Sequence, residues 1–231
     1  MPNPEVVPLF ELELPHGRVV ALAIPDEVHL ERLAAKLAPD ELDLASTWAP
    51  ARRRTWIAGR AALRTALLQA GLPAPAVLSD DRGAPVLPTG VVASVSHKEH
   101  VAVALVARAE PGSTARIGID VELDVPLRID IARKVLTDDE RAELATLPEP
   151  ERMAEVRLRF SAKEAIYKAL DPFVRRYVGF HEVSLRPRHD GTSLVRMHLP
   201  PAEGAFDVEV RWLRRDGLVL TTARVSSGAS R

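Results

Sequence analysis

The chain has 231 residues, 46% of them hydrophobic and 27% charged, with a formal net charge of −1, enough for one large or two small domains around a proper core. That balance marks neither a nucleic-acid binder nor a membrane-surface binder, and no uncharged apolar run approaches the roughly 20 residues a spanning helix needs. Cysteine is absent, which excludes disulfides, thiolate catalysis and cysteine-ligated metals and is compatible with a cytoplasmic setting.

The opening MPNPEVVPLFELELPHG has no basic stretch followed by an apolar run, so no signal peptide is expected. RVVALAI, 18–24, reads as a strand, and 27–37 and about 50–70 read as helices. The second helix has Pro50 in its first turn and Gly71 just past its end. Residues 91–95 and 101–107 are short apolar strands separated by SHKEH in a hairpin-like arrangement. IGIDVEL at 117–123 follows as a strand. Thr137 and Glu140 have the spacing of a capping box, and a long helix is expected over about 150–170. The tail alternates as strands at 181–186, 194–199, 206–213 and 217–225, with a turn at Asp216-Gly217. Strands that follow one another without a helix between them predict an α+β (α/β) fold with mainly antiparallel pairing. Two parts, 1–112 and 113–231, each place a long helix before several strands, although no sequence repeat relates them.

Four stretches could carry chemistry. In IGIDVELD, Asp120 and Glu122 are two apart, so on a strand both project to one side. Such a pair of hard oxygen donors suits Mg²⁺, and a solvated edge-strand face would look the same. Asp124 reads as a strand end. In FSAKEAIYKAL, 160–170, the residues Ala162, Ala165, Ile166, Ala169 and Leu170 form one apolar helix face. Glu164 and Lys168 share the opposite face, with Lys163 on its flank. An exposed i,i+4 ion pair is the plain alternative. In RRRTWIAGRAALRTAL, 52–67, the residues Arg53, Arg60 and Arg64 make one stripe suited to anions, with Arg52 about 100° away. A solvated basic face fits equally. Arg82 sits in the turn DDRGAP. In SVSHKEH, Ser96 and His97 lie where a strand ends, so hydroxyl and imidazole could both meet a ligand at the loop. A Ser-His nucleophile is disfavoured, because neighbours on a strand point apart and no G-x-S-x-G elbow exists. H-E-x-x-H, Walker A and G-x-G-x-x-G motifs are also missing.

In order and spacing, RGAPVLP, SVSH, IGIDVE and FSAKEAIYKAL resemble the 4′-phosphopantetheinyl transferases, over about residues 46–190. They are most similar to the monomeric kind, including the enterobactin-synthase type, that serves siderophore, nonribosomal peptide and polyketide synthases. The resemblance implies a pseudo-dimer of two similar α/β halves with coenzyme A and Mg²⁺, or Mn²⁺, between them. It implies Asp120, Glu122 and Glu164 as metal ligands. Lys163 and Lys168 would contact phosphates, one of them protonating the leaving group. Ser96 and His97 would lie near the 3′-phosphate, with Arg52 and Arg60, and beside them Arg53, binding the same cofactor. Many relatives have G-K-P where this chain has Ala84 in G-A-P, a loss that Arg82 would offset, and Ala93 replaces a glycine usual before S-x-S-H. The implied reaction moves the phosphopantetheine arm of coenzyme A to a serine of an acyl, peptidyl or aryl carrier protein and releases 3′,5′-ADP. Glu164 or a metal-bound water would take the serine proton. Residues 171–180, with Phe173, Arg175, Arg176 and Tyr177, are the expected carrier surface. Two alternatives stand beside this: another Mg²⁺-dependent phosphotransferase or phosphodiesterase, and a binding module that holds coenzyme A or a carrier without turnover.

Overall fold

The structure is a computed structural model that describes residues 7–125 and 131–228. The chain divides into two compact units, Met1–Gly112 and Ser113–Arg231.

In the first unit, β1 (Phe10–Leu14), β2 (Gly17–Ala23), β3 (Val91–Lys98) and β4 (Val101–Arg108) form an antiparallel sheet in the order β1-β2-β4-β3. Helices α1 (Leu30–Ala34), α2 (Pro39–Ser46) and α3 (Pro50–Gln69) complete it. Pro50 opens α3 because the first turn needs no N–H from it. Gly71, at φ +63°, carries the chain away through the left-handed region past its end. Ile57, Ala61, Leu63 and Leu67 of α3 pack on Val20, Leu22, Ala102, Ala104 and Val106 of the sheet.

Four differences from the sequence reading matter here. The charged alternation FELEL of β1 pairs with β2, and α2 forms where no helix was expected. The helix expected at 27–37 contracts to α1 behind a 3₁₀ turn. β3 also runs on to Lys98, so the turn falls at Glu99, φ +43°, and His100.

In the second unit, β5 (Arg116–Leu123), β9 (Leu218–Ser227) and β8 (Phe206–Arg215) form an antiparallel sheet in that spatial order. A hairpin of β6 (Val183–Pro187) and β7 (Ser193–Met197) stands beside it. Two short helices, α4 (Ala132–Val135) and α5 (Asp138–Leu144), precede the long α6 (Glu149–Val174). The capping box at Thr137 is formed, with the backbone N–H of Thr137 donating to Glu140 Oε2 at 2.8 Å. Asp216 and Gly217, both at positive φ, make the β8–β9 turn.

The apolar face of α6, Ala162, Ala165, Ile166, Ala169 and Leu170, is fully buried against Val210, Ala223 and Val225 of the sheet and Val183 and Leu185 of β6. The approach of α6 to β5 is unusually close. A Cβ added to Gly118 would lie 1.9 Å from the Ala165 carbonyl oxygen. Gly118, Asp120 and Glu122 share one side of the strand, so the acidic side of β5 is the side the helix covers.

Candidate active site

Asp120 is 6% and Glu122 9% exposed, which removes the solvated-edge reading of IGIDVELD even though β5 pairs with β9 alone among the described strands. Burying carboxylates requires compensation, and for Asp120 α6 supplies it from Ser161 and, seven residues on, Lys168. Ser161 Oγ donates to Asp120 Oδ2 at 2.9 Å and lies 2.9 Å from Thr221 Oγ1. Lys168 Nζ donates to Asp120 Oδ1 and to the Ile119 carbonyl, each at 2.9 Å. Both Asp120 oxygens are therefore tied to α6.

Glu164 stands between those two anchors on the helix. Its carboxyl is held above the usual range, first by burial, then by the charge of Asp120 and, more weakly, Glu122; Lys168 and Lys134 pull the other way. The three carboxylates thus share one electrostatic neighbourhood, and Lys168 offsets only part of their charge. Among the described residues no three Asp, Glu or His side chains already stand at metal-ligand spacing. The donor chemistry nonetheless fits a divalent cation: the set is purely carboxylate oxygen, and such an ion would offset both the burial and the Asp120 charge that raise Glu164.

Lys163 departs from its expected place on the flank of the exposed face. Its side chain is 1% exposed, and Nζ donates to Glu140 Oε2 at 2.6 Å, the Val135 carbonyl at 2.8 Å and the Phe180 carbonyl at 3.0 Å. An ammonium has three N–H donors, so none is left for a phosphate. Of the two lysines, Lys168, with a 26% exposed side chain, is the one within a ligand's reach. The signal for Glu140 was its capping-box spacing, which says nothing of its burial. Asp124 is structural, paired with Arg157 and Arg214. In the expected carrier surface, Arg176 is bonded to Glu182 and Glu203 and Phe173 packs on Phe206. Tyr177 is exposed and Arg175 caps α6 at φ +48°.

In the first unit the stripe of unpaired arginines is not present. Arg64 is drawn inward to the carbonyls of Ala74 and Pro75 and to Glu41. Arg60 is buried and donates to the Val77 and Leu78 carbonyls and to Ser79 Oγ, at 2.8, 3.2 and 2.9 Å; burial pushes its pKa down to about 10, still a cation at neutral pH. Its guanidinium lies over the Trp56 ring, Trp56 meets Trp48 edge-on at 5.1 Å, and Arg52 lies over Trp48. Arg52 and Arg60 are thereby joined through two indoles, while Arg53 is exposed beside them. The segment held by Arg60 leads into the turn that presents Arg82, where Asp80 Oδ1 accepts from the backbone N–H groups of Arg82 and Ala84. Because β3 continues through Ser96 and His97, the serine is buried on one face and the imidazole exposed on the other. The two do not meet a ligand from the same side, contrary to the loop-end expectation.

Two family models match the chain. The 4′-phosphopantetheinyl transferase superfamily matches residues 116–223, and the 4′-phosphopantetheinyl transferase N-terminal domain matches residues 39–107. The chain is 36% identical over 201 residues to 4′-phosphopantetheinyl transferase Svp of Streptomyces mobaraensis, covering 84% of this chain and 80% of the relative. The chain belongs to the 4′-phosphopantetheinyl transferases. It is also 32% identical to 4′-phosphopantetheinyl transferase Npt of Nocardia iowensis, over 80% of this chain and 88% of that one. Enterobactin synthase component D of Salmonella typhimurium is 33% identical over 74% and 70%. The transferase accordingly moves the phosphopantetheine arm of coenzyme A to a carrier protein.

Proposed function

We propose that the transfer depends on a divalent cation, Mg²⁺ or Mn²⁺, held by Asp120, Glu122 and Glu164, with the first unit gripping coenzyme A and the second performing the chemistry. When bound, that ion supplies charge neutralisation at the pyrophosphate of coenzyme A. The observation that carries the reading is geometric: α6 sets Glu164 between Ser161 and Lys168, the two residues that anchor the buried Asp120, with Glu122 on the same side of β5. Lys168 holds Asp120 in place and, as the partly exposed lysine, faces the leaving phosphate oxygens of 3′,5′-ADP. Arg52, Arg53, Arg60, Arg82 and His97 bind and orient coenzyme A and move no proton. Of these, Arg60 acts chiefly by shaping the segment that carries Arg82, since its Nε and Nη2 are already spent there. The exposed Tyr177 and Arg175 remain the carrier-facing residues of the 171–180 segment. The similarity to enterobactin synthase component D supports a siderophore, nonribosomal peptide or polyketide carrier as acceptor.

The test is the intact mass of an apo carrier protein after incubation with the transferase, coenzyme A and Mg²⁺. The carrier gains one phosphopantetheine with the wild type, and none with Glu164→Ala or with chelator. Undiminished transfer by Glu164→Ala, or in chelator, overturns the metal assignment.

A further inference from the structure

Resting on that metal reading, we propose that Lys163 and Glu140 form a positioning pair that fixes where α6 delivers Glu164 to Asp120 and Glu122. Lys163 directly precedes Glu164 on the helix. Its ammonium joins the end of α4 through the Val135 carbonyl, the start of α5 through Glu140, and the turn before β6 through the Phe180 carbonyl. Glu140, 2% exposed, accepts in addition from the backbone N–H groups of Thr137, at 2.8 Å, and Leu185, at 2.7 Å. The buried pair therefore ties α6 to three segments on that flank, with Arg159 of the same helix 3.8 Å from Glu140 Oε1 beside it. On the opposite flank a second fixed point is the Ser161–Asp120 hydrogen bond. Glu164 lies between the two, so rotation or sliding of α6 about its axis moves its carboxylate directly.

The chemistry of the pair argues for a geometric purpose. The attraction within a buried ion pair is largely offset by the desolvation of its charges, and what a fully satisfied polar cluster adds is a single permitted register. Outer groups that orient a metal ligand affect affinity without touching the ion, and displacements on the order of an ångström suffice to spoil a reacting geometry. Lys163 is thus a positioning residue, and Lys168 the lysine that meets phosphate.

The experiment compares wild type, Glu140→Gln, Lys163→Met and the double variant Glu140→Met/Lys163→Met. Mn²⁺ binding is read from the electron paramagnetic resonance signal of the free ion, coenzyme A binding from calorimetry in chelator, and folding from thermal melts. Each single variant is expected to weaken Mn²⁺ about tenfold or more while coenzyme A binding in chelator is unchanged. The double variant, which leaves the Thr137 and Leu185 N–H groups and the Val135 and Phe180 carbonyls without these partners, melts below wild type and does not recover Mn²⁺ affinity. Wild-type Mn²⁺ affinity in the folded variants overturns the proposal. Loss of coenzyme A binding in Lys163→Met alone overturns it as well, and returns Lys163 to the phosphates. Glu140→Gln, isosteric with the native residue, carries the comparison if Lys163→Met does not fold. A wild type that binds no Mn²⁺ instead defeats the metal reading on which the inference stands.

Discussion

At Glu164 the proposed metal-binding role opposes stability. Its carboxyl sits above the ordinary value of 4.5 in the folded chain, so between that value and the raised one the native state binds more protons than the unfolded state. Stability then falls as pH rises through this window, and above it the buried charge is a standing cost. In chelator, Glu164→Gln should therefore melt higher than wild type at neutral pH, with the advantage shrinking as pH is lowered toward 4.5. Thermal melts across that range decide it, and a Glu164→Gln variant less stable than wild type at neutral pH contradicts the burial of an uncompensated carboxylate. The D-x-E and K-E-A-x-x-K spacings were legible in the sequence because they are local. The fate of Lys163 was not. A lysine beside an apolar helix face reads as flanking surface until three separate segments, none adjacent in sequence, close over it.

Among the elements, the contact of α6 with β5 is the most exacting. Gly118 is required by space alone, since its φ is not positive and a Cβ would press on the backbone of Ala165. Gly118→Ala should destabilise by about 3 kcal/mol or more through overpacking that no rotamer change relieves. Gly59 of α3 offers the contrast, since there a Cβ would meet only Val95 Cγ1, at 2.9 Å, the end of a side chain that can shift. The helix propensity gained by Gly59→Ala, about 1 kcal/mol, offsets much of that adjustment, and its net effect should stay within about 1 kcal/mol. Urea titrations of the pair test this, and equal losses would refute the backbone clash at Gly118. Periodicity predicted both long helices and the tail strands. It missed α2, where Glu41 breaks the apolar pattern but is buried to accept the N–H groups of Ala38 and Val77 and to pair with Arg64. It missed β1 too, whose alternate glutamates face outward from an edge strand.

At the scale of the whole molecule, two units each set a long helix against antiparallel strands around their own core. Ligands that bind only the folded chain raise its stability by mass action, about 2.7 kcal/mol at a hundredfold excess over Kd. Mg²⁺ and coenzyme A together should raise the melting temperature beyond the sum of their separate effects, and Asp120→Asn should abolish the excess. Strict additivity in the wild type would show that ion and cofactor bind independently. The sequence by itself determined the α+β class, the family and the acidic and basic motifs, because these rest on spacing along one strand or one helix. Only the tertiary structure decided which cations lie at the surface. Lys163 and Arg60 read like Lys168 and Arg52 in the sequence, and what separates them is burial: Lys163 and Arg60 are enclosed, while Lys168, though bonded to Asp120 and the Ile119 carbonyl, and Arg52 keep part of their side chains at the surface.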